Sequence, residues 1–110
     1  MGSILIKNEV DGKQYKLAYN RSALVRMEKQ GFNVQKIEEE PLSNICLLIR
    51  GAFYMHNPSL SDEEIDAIAE QIDGGEKFIQ ALLKLYSDVL MSLSGQKSSK
   101  EPKNFKWEMI

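Results

Sequence analysis

The chain has 110 residues, enough for one compact domain and too few for a large multidomain enzyme. Hydrophobic residues make up 43% and charged residues 27%, a balance that supports a packed core and excludes disorder throughout. The 14 basic and 16 acidic side chains leave a net charge of -2, which argues against a nucleic-acid-binding surface, since backbone recognition needs concentrated positive charge.

The charge is uneven along the chain: residues 1–30 carry +3, residues 31–58 carry -1, residues 59–94 carry -6 and residues 95–110 carry +2. The only cysteine, Cys46, excludes an internal disulfide and any metal site built on two thiolates. The longest apolar run, residues 45–49 with 52–55 beyond it, is far shorter than a bilayer span and is interrupted by Arg50. No basic stretch leads into an apolar one near the start, so no secretion signal is visible. A soluble intracellular protein with no membrane partner is expected.

The first element reads as a hairpin. Ile4, Leu5, Ile6 and Val10 precede Asp11-Gly12, a turn signal, and Tyr15, Leu17 and Tyr19 then alternate with Lys16 and Ala18. These three alternating residues share one face, which needs a helix against it because a bare hairpin is marginal in water. Asn20 is placed to cap a helix reaching about Gln30, with Leu24 and Met27 facing the hairpin. Gly31 suits the left-handed residue after that helix, and Phe32 can close on Met27 in a Schellman arrangement.

Residues 33–40 read as a polar connection ending in three glutamates. Pro41 then suits the first turn of a second helix. Ile45, Leu48, Ile49, Ala52 and Phe53 form its apolar stripe, broadened by Leu42, Cys46 and Leu47, and place it at the centre of the fold. Gly51 in this helix points to close packing.

After His56-Asn57-Pro58 comes a complete helix start. Ser61 and Glu64 have capping-box spacing, and Leu60 and Ile65 have hydrophobic-staple spacing. Ile65, Ile68, Ala69 and Ile72 form the inward stripe, while Asp62, Glu63, Asp66 and Glu70 read as capping and solvated groups. Asp73-Gly74-Gly75 separates the last helix, in which Phe78, Leu82, Leu85, Tyr86, Val89 and Leu93 recur at three- and four-residue spacing. That stripe is broad enough to close the core or to hold apolar surface for a partner.

The expected fold is therefore α+β and mainly α: a short N-terminal hairpin and four helices in one small domain over residues 1–94. Residues 95–110 read as a polar linker followed by Phe105, Trp107 and Met109, which alternate with charged residues as on one face of a strand. Such a segment can dock on its own domain, on an identical copy, or at an exposed strand edge of another chain.

Little in the chain suggests catalysis. His56 is the only histidine, and its place after an apolar helix suggests a structural hydrogen bond or an interaction with the helix C-terminus. Cys46 and His56 are ten residues apart, about 15 Å along an unbroken helix, too far for a nucleophile and its base. Cys46 reads instead as a small core residue. The acidic run lacks the spacing of a calcium loop, and Gly74-Gly75 is not a phosphate loop. No cofactor, metal or catalytic residue is expected.

The order of these features resembles the tail assembly chaperones of siphophages and prophages of Gram-positive bacteria. The likeness covers roughly residues 4–93. It lies in the hairpin ending at Tyr15-Lys16-Leu17, the helix with Met27, Glu28 and Gly31, the run Ile49-Arg50-Gly51-Ala52-Phe53, and the junction from His56 through Pro58 to the Leu60-Ser61-Asp62-Glu63-Glu64 cap. The resemblance implies a small non-enzymatic protein of the bacterial host cytoplasm, absent from the mature virion. Its implied partners are the tape measure protein and the tail tube protein, with apolar helical surface on the former shielded during assembly. The candidate partner-binding residues are Phe53, Phe78, Leu82, Leu85, Tyr86, Phe105, Trp107 and Met109. The alternative is a structural or adaptor protein in a stable homo-oligomer or larger assembly; a small regulator is a further one.

Overall fold

In the computed structural model, described over residues 2–72 and 75–93, strand β1 (Ile4–Lys7) pairs antiparallel with β2 (Gln14–Leu17). Helices α1 (Arg21–Lys29), α2 (Pro41–Tyr54), α3 (Asp62–Ala69) and α4 (Gly75–Leu93) follow, with a 3-10 turn at Val34–Lys36. A hairpin followed by four helices in one compact domain is the expected fold. The proposed linker and aromatic tail, with Phe105, Trp107 and Met109, lie outside the described residues.

The local signals act as the sequence implies. Gly12 takes a positive φ of 77° in the hairpin turn, as expected, but the turn is longer than Asp11-Gly12: β1 ends at Lys7, Val10 stands exposed in the turn, and Asn8 Oδ1 accepts from the Val10 N–H at 2.9 Å. Asn20 Oδ1 accepts from the Ala23 N–H at 2.8 Å and starts α1. At its end the Phe32 N–H donates to the Met27 carbonyl at 2.9 Å and the Gly31 N–H to that of Glu28 at 3.0 Å, while Gly31 sits at φ 102°. These are the two bonds of the Schellman motif, and both Met27 and Phe32 are buried. The capping box of α3 is complete: Glu64 N–H donates to Ser61 Oγ at 3.1 Å, and Ser61 N–H to Glu64 Oε1 at 3.0 Å.

Helix α2 is the centre, packed against α1, α3, α4 and β2. Its buried face comprises Asn44, Leu47, Leu48, Gly51 and Ala52, spaced three and four apart, with Phe53 added where β2 and α3 close over its last turn. Tyr15 meets the Phe53 ring at 6.1 Å between centroids. On the other side Tyr86 of α4 lies edge-on to Tyr19 at 5.9 Å and to Phe32 at 5.1 Å. The Tyr19 hydroxyl donates to the Leu48 carbonyl at 2.6 Å.

The connection at residues 33–40 is more ordered than its composition implies. Asn44, 1% exposed, accepts from the Asn33 N–H at 2.8 Å through Oδ1 and donates to the Glu40 carbonyl at 2.9 Å through Nδ2. One buried amide thus fastens both ends of the connection, its donor and acceptor each satisfied.

Cys46 corrects the expectation of a core residue. It is exposed, because it lies on α2 about 160° around the helix from buried Leu48. Helix α3 also stops at Ala69, short of the Ile72 expected in its stripe. Its end tightens through bonds from Gln71 to Ile68 at 3.0 Å and from Ile72 to Ala69 at 3.2 Å.

Candidate functional site

The proposed partner-binding residues fall into three groups. Phe53, Leu82 and Tyr86 are buried within the domain, so their apolar surface serves the intramolecular core. Phe78 and Leu85 are half-buried against that core. Phe105, Trp107 and Met109 are outside the described residues. Spacing identified an apolar helix face correctly but could not say how much of it the domain itself covers.

The apolar surface left open lies elsewhere. Leu42, in the first turn of α2, is 82% exposed, and Leu90 and Leu93, in the last two turns of α4, are 39% and 50% exposed. Leu42, Cys46, Ile49 and Phe53 form one stripe with spacing of four, three and four, exposed at Leu42 and Cys46, half-buried at Ile49 and buried at Phe53. Leu93 points along the same side of α4 as buried Leu82 and Val89, and is exposed because the helix outruns the core.

A polar cluster joins the outer sides of α1, α2 and α3. Arg50 donates from Nε and Nη2 to the two carboxylate oxygens of Asp66 at 2.9 and 2.6 Å, a two-point ion pair that reaches across helices. The guanidinium holds the Asp66 carboxyl below the usual aspartate range. Beside it, the Arg26 guanidinium stacks on the Tyr54 ring at 3.8 Å, and the Tyr54 hydroxyl donates to Asp62 Oδ1 at 3.1 Å. Sequence reading assigned Asp62 and Asp66 to capping and solvation. Their partners lie on another helix, and nothing in local spacing announces them.

His56 likewise departs from expectation. It is exposed, and its imidazole makes no hydrogen bond among the described residues. The adjacent Asn57 holds this corner instead, donating from Nδ2 to the Lys16 carbonyl at 3.0 Å and the Phe53 carbonyl at 3.1 Å.

A cavity of about 640 Å³ opens between the hairpin tip and the end of α3, lined by Ile6, Tyr15, Val10, Ile68 and Ile72 with Lys7 and Gln71 at its polar side. Among the described residues no group of three or more histidine, cysteine, aspartate or glutamate side chains could hold a metal ion. No helix among them is long and apolar enough to cross a membrane. The arrangement offers apolar contact and charge pairing between helices.

No curated protein and no solved structure matches the chain. One family model matches residues 1–109, nearly the whole sequence, and its description is a domain of unknown function. The chain belongs to that family, DUF5055.

Proposed function

We propose that this protein is a non-enzymatic phage tail assembly chaperone that shields apolar helical surface of a tape measure protein. The observation that carries the reading is the exposed aliphatic surface at Leu42, Leu90 and Leu93, on helices whose opposite faces are packed into the core. A tape measure protein is long and helical, and its apolar faces need temporary cover before the tube encloses them. Leucines standing out of a closed domain can bind such a face without the chaperone unfolding. The hairpin, the Gly31 helix end and the Ser61 cap that carry the sequence resemblance are also the features that set the relative placement of these helices. The binding is reversible and involves no bond chemistry, since polymerising tube protein has to displace the chaperone.

The test is co-expression with a phage tape measure protein, followed by co-purification and light scattering on the eluted complex. A soluble stoichiometric complex is expected, weakened by Leu42→Lys and by Leu90→Lys with no loss of folding. Failure to form a complex, with a concentration-independent homo-oligomer in its place, would overturn the reading in favour of a structural assembly protein.

A further inference from the structure

The two edges of the hairpin are unequal. The register pairs Ile4 with Leu17 and Ile6 with Tyr15, and the Asn8 N–H donates to Lys13 O at 2.8 Å, so the even-numbered residues of β1 bond inward to β2. The even-numbered residues of β2 therefore face its outer side, and that side is closed. The Ala18 N–H donates to the Ala52 carbonyl at 3.0 Å, and the Lys16 carbonyl accepts from Asn57 Nδ2 at 3.0 Å. On β1 it is Leu5 and Lys7 whose N–H and C=O groups point outward, and no described residue bonds to them. Leu5 is 63% exposed. A strand edge with outward N–H and C=O groups of this kind is a template for one more strand.

Half-buried apolar side chains flank this edge. A Cβ at Gly2 would meet Leu85 Cδ2 at 2.7 Å, so α4 runs close beneath the start of β1. At the other end of the strand lies the cavity against Ile6, Ile68 and Ile72. A strand added beside β1 would direct its inward side chains over Leu85 and into that cavity.

We propose that the chain's own residues 105–110 occupy this edge, adding a third strand beside β1 with Trp107 seated in the cavity between the hairpin tip and α3. Three observations select this occupant. Phe105, Trp107 and Met109 alternate with Lys106 and Glu108, the pattern of a strand with one apolar face. The 11 residues 94–104 can span up to about 36 Å, whereas Leu85 lies only about 12 Å back along α4 from Leu93. The linker, residues 95–104, carries +2 against -6 for residues 59–94, so it is drawn back along the acidic helical half, while residues 105–110 are themselves neutral and can seat an apolar face. This inference is independent of the chaperone reading.

The test uses the full chain, in which Trp107 is the only tryptophan and so reports on this segment alone. Indole emission should be blue-shifted and protected from acrylamide quenching, and the Lys7 amide should exchange slowly by NMR. Leu5→Pro removes an outward donor without touching a β1–β2 bond and should expose Trp107. The double variant Phe105→Glu, Met109→Glu leaves every residue of β1, β2 and the four helices unaltered, and should speed exchange at Lys7 by roughly tenfold or more. A Lys7 amide that exchanges at unprotected rates in the unaltered chain, or an indole as quenchable as free tryptophan, overturns the proposal. Protection that is lost on dilution also overturns it, because the occupant is then a second copy.

Discussion

Gly51 of α2 lies directly beneath Met27 of α1: a Cβ at position 51 would stand 2.7 Å from Met27 Cγ and closer still to Sδ. Met27 is fully buried, so its flexible thioether has no open space in which to retreat. The absence of a side chain at Gly51 is what lets α1 and α2 approach this closely.

Gly51→Ala gains about 1 kcal/mol in helix propensity and loses about 1–3 kcal/mol to overpacking. We expect net destabilisation in urea unfolding. Met27→Ala alone leaves a cavity and costs about 2–5 kcal/mol, but the alanine methyl at 51 would fill part of it. The double variant should therefore be more stable than the sum of the two by about 1 kcal/mol. Simple additivity would show that the two side chains do not compete for the same space.

The Arg50–Asp66 pair should shape the acid limb of stability. Asp66 titrates lower in the folded protein than in the unfolded chain, so its contribution is present above the unfolded value and lost as pH falls through the folded one. Stability should decline below about pH 4. Asp66→Asn should flatten that decline and cost no more than about 1 kcal/mol at neutral pH, because both side chains remain partly exposed. Chemical denaturation repeated from neutral to acid pH measures both effects; an unchanged acid limb in the variant would assign the decline to other carboxylates.

At the end of α2, neighbouring residues should behave oppositely. Asn57→Ala removes the bonds to the Lys16 and Phe53 carbonyls and should cost about 1–2 kcal/mol, while His56→Ala should stay within about 0.5 kcal/mol of the parent. Thermal unfolding of the two variants separates them. Equal effects would contradict the assignment of this corner to Asn57.

Asn44 should be the most sensitive polar position. Asn44→Leu would leave the Asn33 N–H without its acceptor and place a branched apolar side chain where an amide fits, costing about 2 kcal/mol. Hydrogen exchange at the Asn33 amide should quicken more than exchange in α4. A uniform change across the domain would instead indicate global destabilisation without a local role for the bond.

Much of the fold was legible because its signals are local. Asn20, Gly31 and the Ser61–Glu64 pair each act within a few residues of themselves, so their side-chain chemistry and spacing imply the cap or turn before any tertiary contact is known. The same holds for Gly12 in the hairpin turn, whereas the part Asn8 plays there was not read from the sequence.

The surface was not legible in that way. Periodicity marks the apolar side of a helix but carries no information about how far the neighbouring elements extend along it. Phe53 and Leu42 share one stripe of α2, yet the first is sealed under β2 and α3 and the second stands in water. Sequence alone determined the order of elements, their caps and the position of the central helix. Tertiary structure decided that Phe53, Leu82 and Tyr86 belong to the core, that Arg50 finds Asp66, and that Ala52 and Asn57 close the outer edge of β2, because each depends on which residues distant in sequence are brought together.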